Sequence, residues 1–215
     1  MEVNAITELP PPQRLALAYA PARSRAQTLA LLAYDAQLGL IVRRTSEPIL
    51  GQMRLAWWRD QLALPAGERP QGNRVLAMLA ALEGEEHALR EMASGWEVLL
   101  GEHLDADAIR EHSRSRAAGW RAMARLQDAD EENVERAAQC WALGDLAANL
   151  GGSEQQRVVE IGEPVRSSQP RLPRTFRSLA VLAGLGRRSL ARGGAPLLAG
   201  PGSVLAAIRL GISGR

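Results

Sequence analysis

The chain has 215 residues, 46% of them hydrophobic, which is long and apolar enough for one globular domain with a real core. Its formal charge of +2 hides an asymmetry: up to Glu163 there are 17 Arg against 24 acids, and beyond Glu163 there are nine Arg and no acid. The single Cys140 excludes an internal disulfide and a cysteine-based metal site.

Every basic residue is Arg, since no Lys occurs, and Arg pairs bidentately with carboxylates and phosphates. The apolar share is carried by Ala and Leu with few β-branched runs, which favours helices over sheets. Pro10, Pro11 and Pro12 stiffen the entry, so residues 1–12 read as a tail or extended strap. The single domain is expected over 13–215. A long helix follows, interrupted near Pro21, with its main body over 22–44 and apolar positions at Leu29, Leu32, Ala33, Ala36, Leu40 and Ile41.

The next helix, over 47–60, organises the rest. Ser46 is a candidate cap and Pro48 suits the first turn. Ile49, Leu50, Met53, Trp57 and Leu62 recur at helical spacing and predict the core stripe, with Gln52, Arg54, Arg59 and Asp60 outside it. Trp57 and Trp58 point about 100° apart, so at most one sits at the centre of that stripe. Pro65 to Gly72 is a loop.

Further helices are expected over 75–82 and 85–100, the latter closed by Gly101, and over 106–127 behind an Asp105 cap. Ile109, Ala117, Trp120, Ala124 and Leu126 would form the inward face of that last one. The acidic turn 128–133 leads into a helix over 134–150 that Gly151-Gly152 ends, and 166–173 reads as a loop. Helices over 174–192 and 203–210 complete an all-α bundle of roughly eight helices.

The order of these signals resembles the squalene/phytoene synthase family. The segments that carry the resemblance are Leu-Ala-Leu-Leu-Ala-Tyr-Asp-Ala-Gln-Leu over 29–38, Glu-Pro-Ile-Leu-Gly-Gln-Met-Arg-Leu-Ala-Trp-Trp-Arg-Asp over 47–60, Ser-Gly-Trp-Glu-Val-Leu over 94–99, Ala-Ala-Gly-Trp over 117–120 and Leu-Pro-Arg-Thr-Phe-Arg-Ser-Leu-Ala-Val-Leu-Ala over 172–183. The segments lie between residues 29 and 183, and the resemblance as a whole spans residues 15–212. The resemblance implies an isoprenoid-synthase-like helical bundle, here reduced in size, around an apolar cavity. Its enzymes join two prenyl diphosphates head to head, using Mg²⁺ held by carboxylates four residues apart on facing helices.

The chain departs from that pattern. The first acidic motif falls at Gly39, Leu40 and Arg43, and the second at Ala148-Asn149, Gly152 and Ser153, none of them acidic. Asp35 and Asp145 remain as isolated carboxylates. The segments Tyr34 to Leu38 and Met53 to Trp58 look closer to the branch that holds a mitochondrial complex I assembly factor. The expectation is a non-catalytic assembly or scaffolding protein with no cofactor and with a protein partner.

Two alternatives stand beside it. One is an active prenyltransferase with Mg²⁺ in a rebuilt site, for which acids such as Glu97 and Asp105 would have to converge on the cavity. The other is a module that binds an isoprenoid or lipid, or touches a membrane surface.

Asp35, Asp145, Asn149 and Tyr34 are candidate cavity or remnant-motif residues, with ordinary helix-surface or cap roles as the alternative for the two Asp, and Trp58, Trp96, Trp120 and Trp141 are candidate cavity walls. Arg54, Arg59, Arg174 and Arg177 are candidates for phosphate or partner contact. His87, His103 and His112 show no metal-ligand spacing. The Arg-rich end is not interleaved with stacking aromatics, so nucleic acid is not an expected partner. The start lacks a basic-then-apolar signal and no long apolar run occurs. The expected location is therefore cytoplasmic, with room for peripheral contact at an inner membrane.

Overall fold

The computed structural model describes residues 6–168 and 170–213, and among these every regular element is helical. After a helical turn at 6–8 come α1 (Pro11–Leu17), α2 (Ala22–Arg44), α3 (Pro48–Ala63), α4 (Arg74–Met78), α5 (Glu86–Glu97), α6 (Ala106–Leu126), α7 (Glu131–Ala148), α8 (Gly152–Ser167), α9 (Arg177–Leu190) and α10 (Pro201–Ser213). Short 3₁₀ turns extend α4 and α5 and precede α9.

The bundle is arranged about α6 and α7. α5 and α7 flank α6, α8 and α9 cover α7, α3 packs on α5, and α10 closes over α9. Small side chains make this close packing possible: Ala117, Ala118, Ala122, Ala124, Ala137, Ala138 and Ala142 are all buried. At the α7–α9 crossing the two backbones touch. A Cβ on Gly144 would lie 2.2 Å from the Gly186 Cα, so neither position has room for a side chain. The Asp105 cap expected for α6 is present, accepting from Ala108 N at 2.8 Å. Within the acidic turn it is Asp130 that caps α7, accepting from Asn133 N at 3.1 Å, and the helix starts at Glu131 rather than Val134.

Several expectations are corrected. Pro11 and Pro12 open α1 instead of an extended strap, because proline's fixed φ and missing N–H suit the first helical turn. Leu9 is already buried against the core. Gly151 and Gly152 do not only end α7; they start α8, a helix absent from the sequence reading, which runs through Pro164. Ser46 does not cap α3, whose first residue is preceded by Glu47 with no side-chain cap. Gly101 has φ −66° and so takes no left-handed cap conformation, and Leu126 is exposed.

The largest correction concerns α3. Its buried face is Gly51, Leu55, Trp58 and Leu62, while Ile49 (63% exposed), Leu50 (43%), Met53 (64%) and Trp57 (38%) face outward. The helix carries two apolar stripes of equal periodicity, and close approach decides between them. A Cβ on Gly51 would lie 2.6 Å from Leu100 Cδ1, so the glycine face is the one that lets the helix seat against the end of α5.

The Arg-rich final quarter is drawn partly into packing. Arg177 donates to Gly211 O at 2.7 Å, Arg187 donates to Ser168 O at 3.1 Å, and Arg166 pairs with Glu163 within α8.

Candidate functional site

Asp35 lies midway along α2 and is 5% exposed, so burying its charge requires donors on every side. It has four. Arg116 of α6 donates from Nε to Oδ1 at 2.8 Å and from Nη2 to Oδ2 at 2.7 Å, a bidentate fork. Gln13 Nε2 of α1 donates to Oδ2 at 2.9 Å, and Trp96 Nε1 of α5 to Oδ1 at 3.1 Å.

Arg116 is 3% exposed and turns its remaining nitrogen, Nη1, toward Asp145 of α7, 2.8 Å from Oδ2. That contact is an ion pair rather than an aligned hydrogen bond. The guanidinium carbon also lies 4.7 Å from the Trp96 ring centre and 5.0 Å from that of Trp141, within cation–π range of both. An Asp–Arg–Asp triad thus ties together α2, α6 and α7, with two indoles against its centre and α1 and α5 contributing hydrogen bonds.

Electrostatics follow from this placement. Burial pushes the Asp145 carboxyl above its ordinary range, and the Arg116 charge opposes that rise. Arg116 is held more firmly protonated than usual, because Asp35 and Asp145 outweigh its burial. One turn before it, His112 is buried, and its Nδ1 lies 2.9 Å from Gly95 O; a carbonyl only accepts, so Nδ1 carries the proton and Nε2 is a bare acceptor. Nε2 has no partner. Burial first, and then the Arg116 charge, lowers the His112 pKa to about 4, so the ring is neutral at neutral pH.

The triad lies between two cavities. One, of about 440 Å³, is walled by Trp96, Trp141, Leu197 and Leu198, with Gln13, Asp35, Arg116 and Asp145 at its polar side. The other, of about 230 Å³, meets His112, Leu104, Leu146 and Leu150 and shares Arg43, Asp145 and Asn149 with the first.

The candidate residues fall into distinct places. Asp35 and Asp145, 110 residues apart in the chain, are brought to one guanidinium. Asn149 lines both cavities and donates back to Asp145 O at 2.8 Å. Trp96 and Trp141 are walls of the larger cavity, whereas Trp58 and Trp120 are buried in the core away from the described cavities. Tyr34 is also in the core, its hydroxyl donating to Leu89 O at 3.1 Å and its ring 5.3 Å from that of Trp58.

Of the arginines, Arg59 pairs with Glu97, Arg54 donates to Thr45 Oγ1 at 3.3 Å, Arg174 is exposed, and Arg177 holds α10. Glu97 and Asp105, the acids of the rebuilt-site alternative, are engaged elsewhere, in that ion pair and in the α6 cap. Arg116, Gln13 and His112 were not singled out from the sequence as site residues. The one signal was an Arg immediately before the apolar run Ala117-Ala118-Gly119-Trp120, since an Arg on a buried helix face must find a counter-charge.

Mg²⁺, the ion implied by the resemblance, does not fit this arrangement. It requires hard oxygen ligands in near-octahedral order, yet both carboxylates are already directed at a buried guanidinium. One turn after Asp35, where a partner carboxylate belongs, Gly39 packs against an indole. A Cβ there would be 2.9 Å from Trp96 Cη2, so Trp96 occupies the room an acidic side chain would need. Among the described residues no group of three or more His, Cys, Asp or Glu is placed to hold a metal ion. In comparisons with protein-family profiles, curated proteins and solved structures, the chain matches none.

Proposed function

We propose that this chain is a non-catalytic helical protein of the squalene/phytoene synthase type that serves as an assembly or scaffolding factor for a protein partner. The observation that carries the reading is the triad. The two carboxylates that remain from the acidic motifs are both neutralised by Arg116, a fixed cation built into the chain. A diphosphate leaving group departs only when its charge is met by cations free to bind it, and such a term is worth several kcal/mol of transition-state stabilisation. Here the positive charge is spent on the fold itself. Among the described residues no helix is long and apolar enough to cross a membrane.

The test is binding of a non-hydrolysable farnesyl diphosphate analogue, read by tryptophan fluorescence, because Trp96 and Trp141 both line the larger cavity. The expected result is no Mg²⁺-dependent quenching and no turnover of farnesyl or geranylgeranyl diphosphate. Mg²⁺-dependent binding or turnover overturns the proposal. A second reading, an apolar ligand without metal chemistry, is favoured by the cavity of about 440 Å³ with its Trp and Leu walls. It predicts quenching by the analogue that is unchanged by EDTA.

A further inference from the structure

Gln13, in α1, is 3% exposed, and its partner fixes which way the amide points. Asp35 Oδ2 only accepts, so the amide nitrogen faces it, at 2.9 Å, and Oε1 is turned away from it. Oε1 is buried and has no hydrogen-bond partner. A buried acceptor without a donor is costly, and in a native fold it points to a group that serves it.

Gln13 borders the cavity of about 440 Å³. So does Arg116, whose Nη1 is ion-paired with Asp145 but makes no aligned hydrogen bond. Both side chains bond Asp35 Oδ2, which sets the orphan acceptor and the available donor at the same polar end of the cavity. The formal charges around it are Asp35 and Asp145 against Arg43 and Arg116, two of each sign. A charged ligand would find no counter-charge left over and would give up its hydration without return. Much of the remaining wall is apolar, with Trp141, Leu197 and Leu198, and the exposed residues Pro11, Asn149 and Pro196 on its border give a way in from solvent.

We propose that this cavity binds a neutral amphiphile with a hydroxyl head, an alcohol with an apolar body, whose O–H donates to Gln13 Oε1 while its oxygen accepts from Arg116 Nη1. This rests on the second reading above, an apolar ligand held without metal, and adds the head group to it. A hydroxyl donates and accepts through one atom, which is what the two neighbouring groups require. The apolar body lies against the Trp and Leu walls, in a volume of the size that small-molecule pockets have.

The test is titration of the full chain at neutral pH with decanol, decyl methyl ether, decanoate and decylamine, each below the concentration at which it aggregates. Tryptophan fluorescence reads the binding, because Trp96 and Trp141 line the cavity. The ether keeps the body and the acceptor but has no O–H. Decanol is expected to bind tightest, with the ether about tenfold weaker through the lost donor to a buried acceptor, and with both ions at least as weak. Gln13→Met removes Oε1, and there the alcohol is expected to lose its advantage over the ether. That ratio, unlike affinity itself, is not moved by a general loosening of the bundle. Ala148→Phe, which fills the cavity from α7, is expected to weaken decanol binding at least tenfold, and circular dichroism checks that both variants are folded. Equal binding of alcohol and ether by the wild type overturns the head-group proposal and leaves the apolar-ligand reading standing, with Oε1 served by solvent. So does an advantage that survives Gln13→Met, or tighter binding of either ion. Decanol binding undiminished in Ala148→Phe, or no binding of any of the four by the wild type, overturns both.

Discussion

At the scale of residues, the centre of the molecule is one guanidinium. Removing one member of a buried charge set leaves the others desolvated without compensation, which costs about 3–5 kcal/mol, whereas replacing the whole set by apolar groups is often neutral. Arg116→Met should therefore lower the free energy of urea unfolding by that amount. The triple change Asp35→Leu, Arg116→Met, Asp145→Leu should recover much of the loss.

His112 gives a separate pH signature. Its pKa is about 4 in the fold and near 6.5 when free, so between these values the unfolded chain takes up a proton that the native chain refuses. The native advantage is complete above about pH 6.5 and falls away as the pH drops, by about 3 kcal/mol once below pH 4. His112→Asn keeps a donor for Gly95 O without the titration. Its unfolding free energy should be flatter between pH 6.5 and 4 than that of the wild type.

At the scale of elements, α2 and the starts of α6 and α7 were legible because their signals are local. Ala22–Arg44 follows directly from spacing, Asp105 announces α6 by cap chemistry, and the acidic turn 128–133 announces α7 without showing that Asp130 is the cap within it. The orientation of α3 was not legible, because periodicity alone cannot choose between two apolar stripes on one helix. What decides is Gly51, whose missing side chain admits Leu100 from a distant segment.

The assignment is directly checkable at dilute protein concentration. Leu55→Ala should cost about 2–5 kcal/mol of stability, while Ile49→Ser should change it by no more than about 0.5 kcal/mol. The reverse pattern in thermal or urea unfolding would place the core on the other stripe. α8 escaped the reading for a related reason: the glycine pair before it serves as well for a helix end as for a helix start, and Pro164 sits inside it.

At the scale of the whole molecule, the bundle of mostly small residues was legible from composition, but the site was only half so. Asp35 and Asp145 stood out because they are the only acids left in their segments. Arg116 did not, since its one local signal, the small apolar run that follows it, does not name the carboxylates it will meet. Its role exists only once α2, α6 and α7 have met.

That meeting has a kinetic consequence. Asp35 and Arg116 are 81 residues apart, and the carboxylate is fully served only when α1 and α5 have docked as well. A chain that buries one of these charges before its partners arrive would be penalised, so the triad is expected to close after the folding barrier. Arg116→Met should accordingly speed unfolding far more than it slows refolding in stopped-flow measurements. The same triad that holds the native bundle would then act as a latch that sets how long the folded state survives.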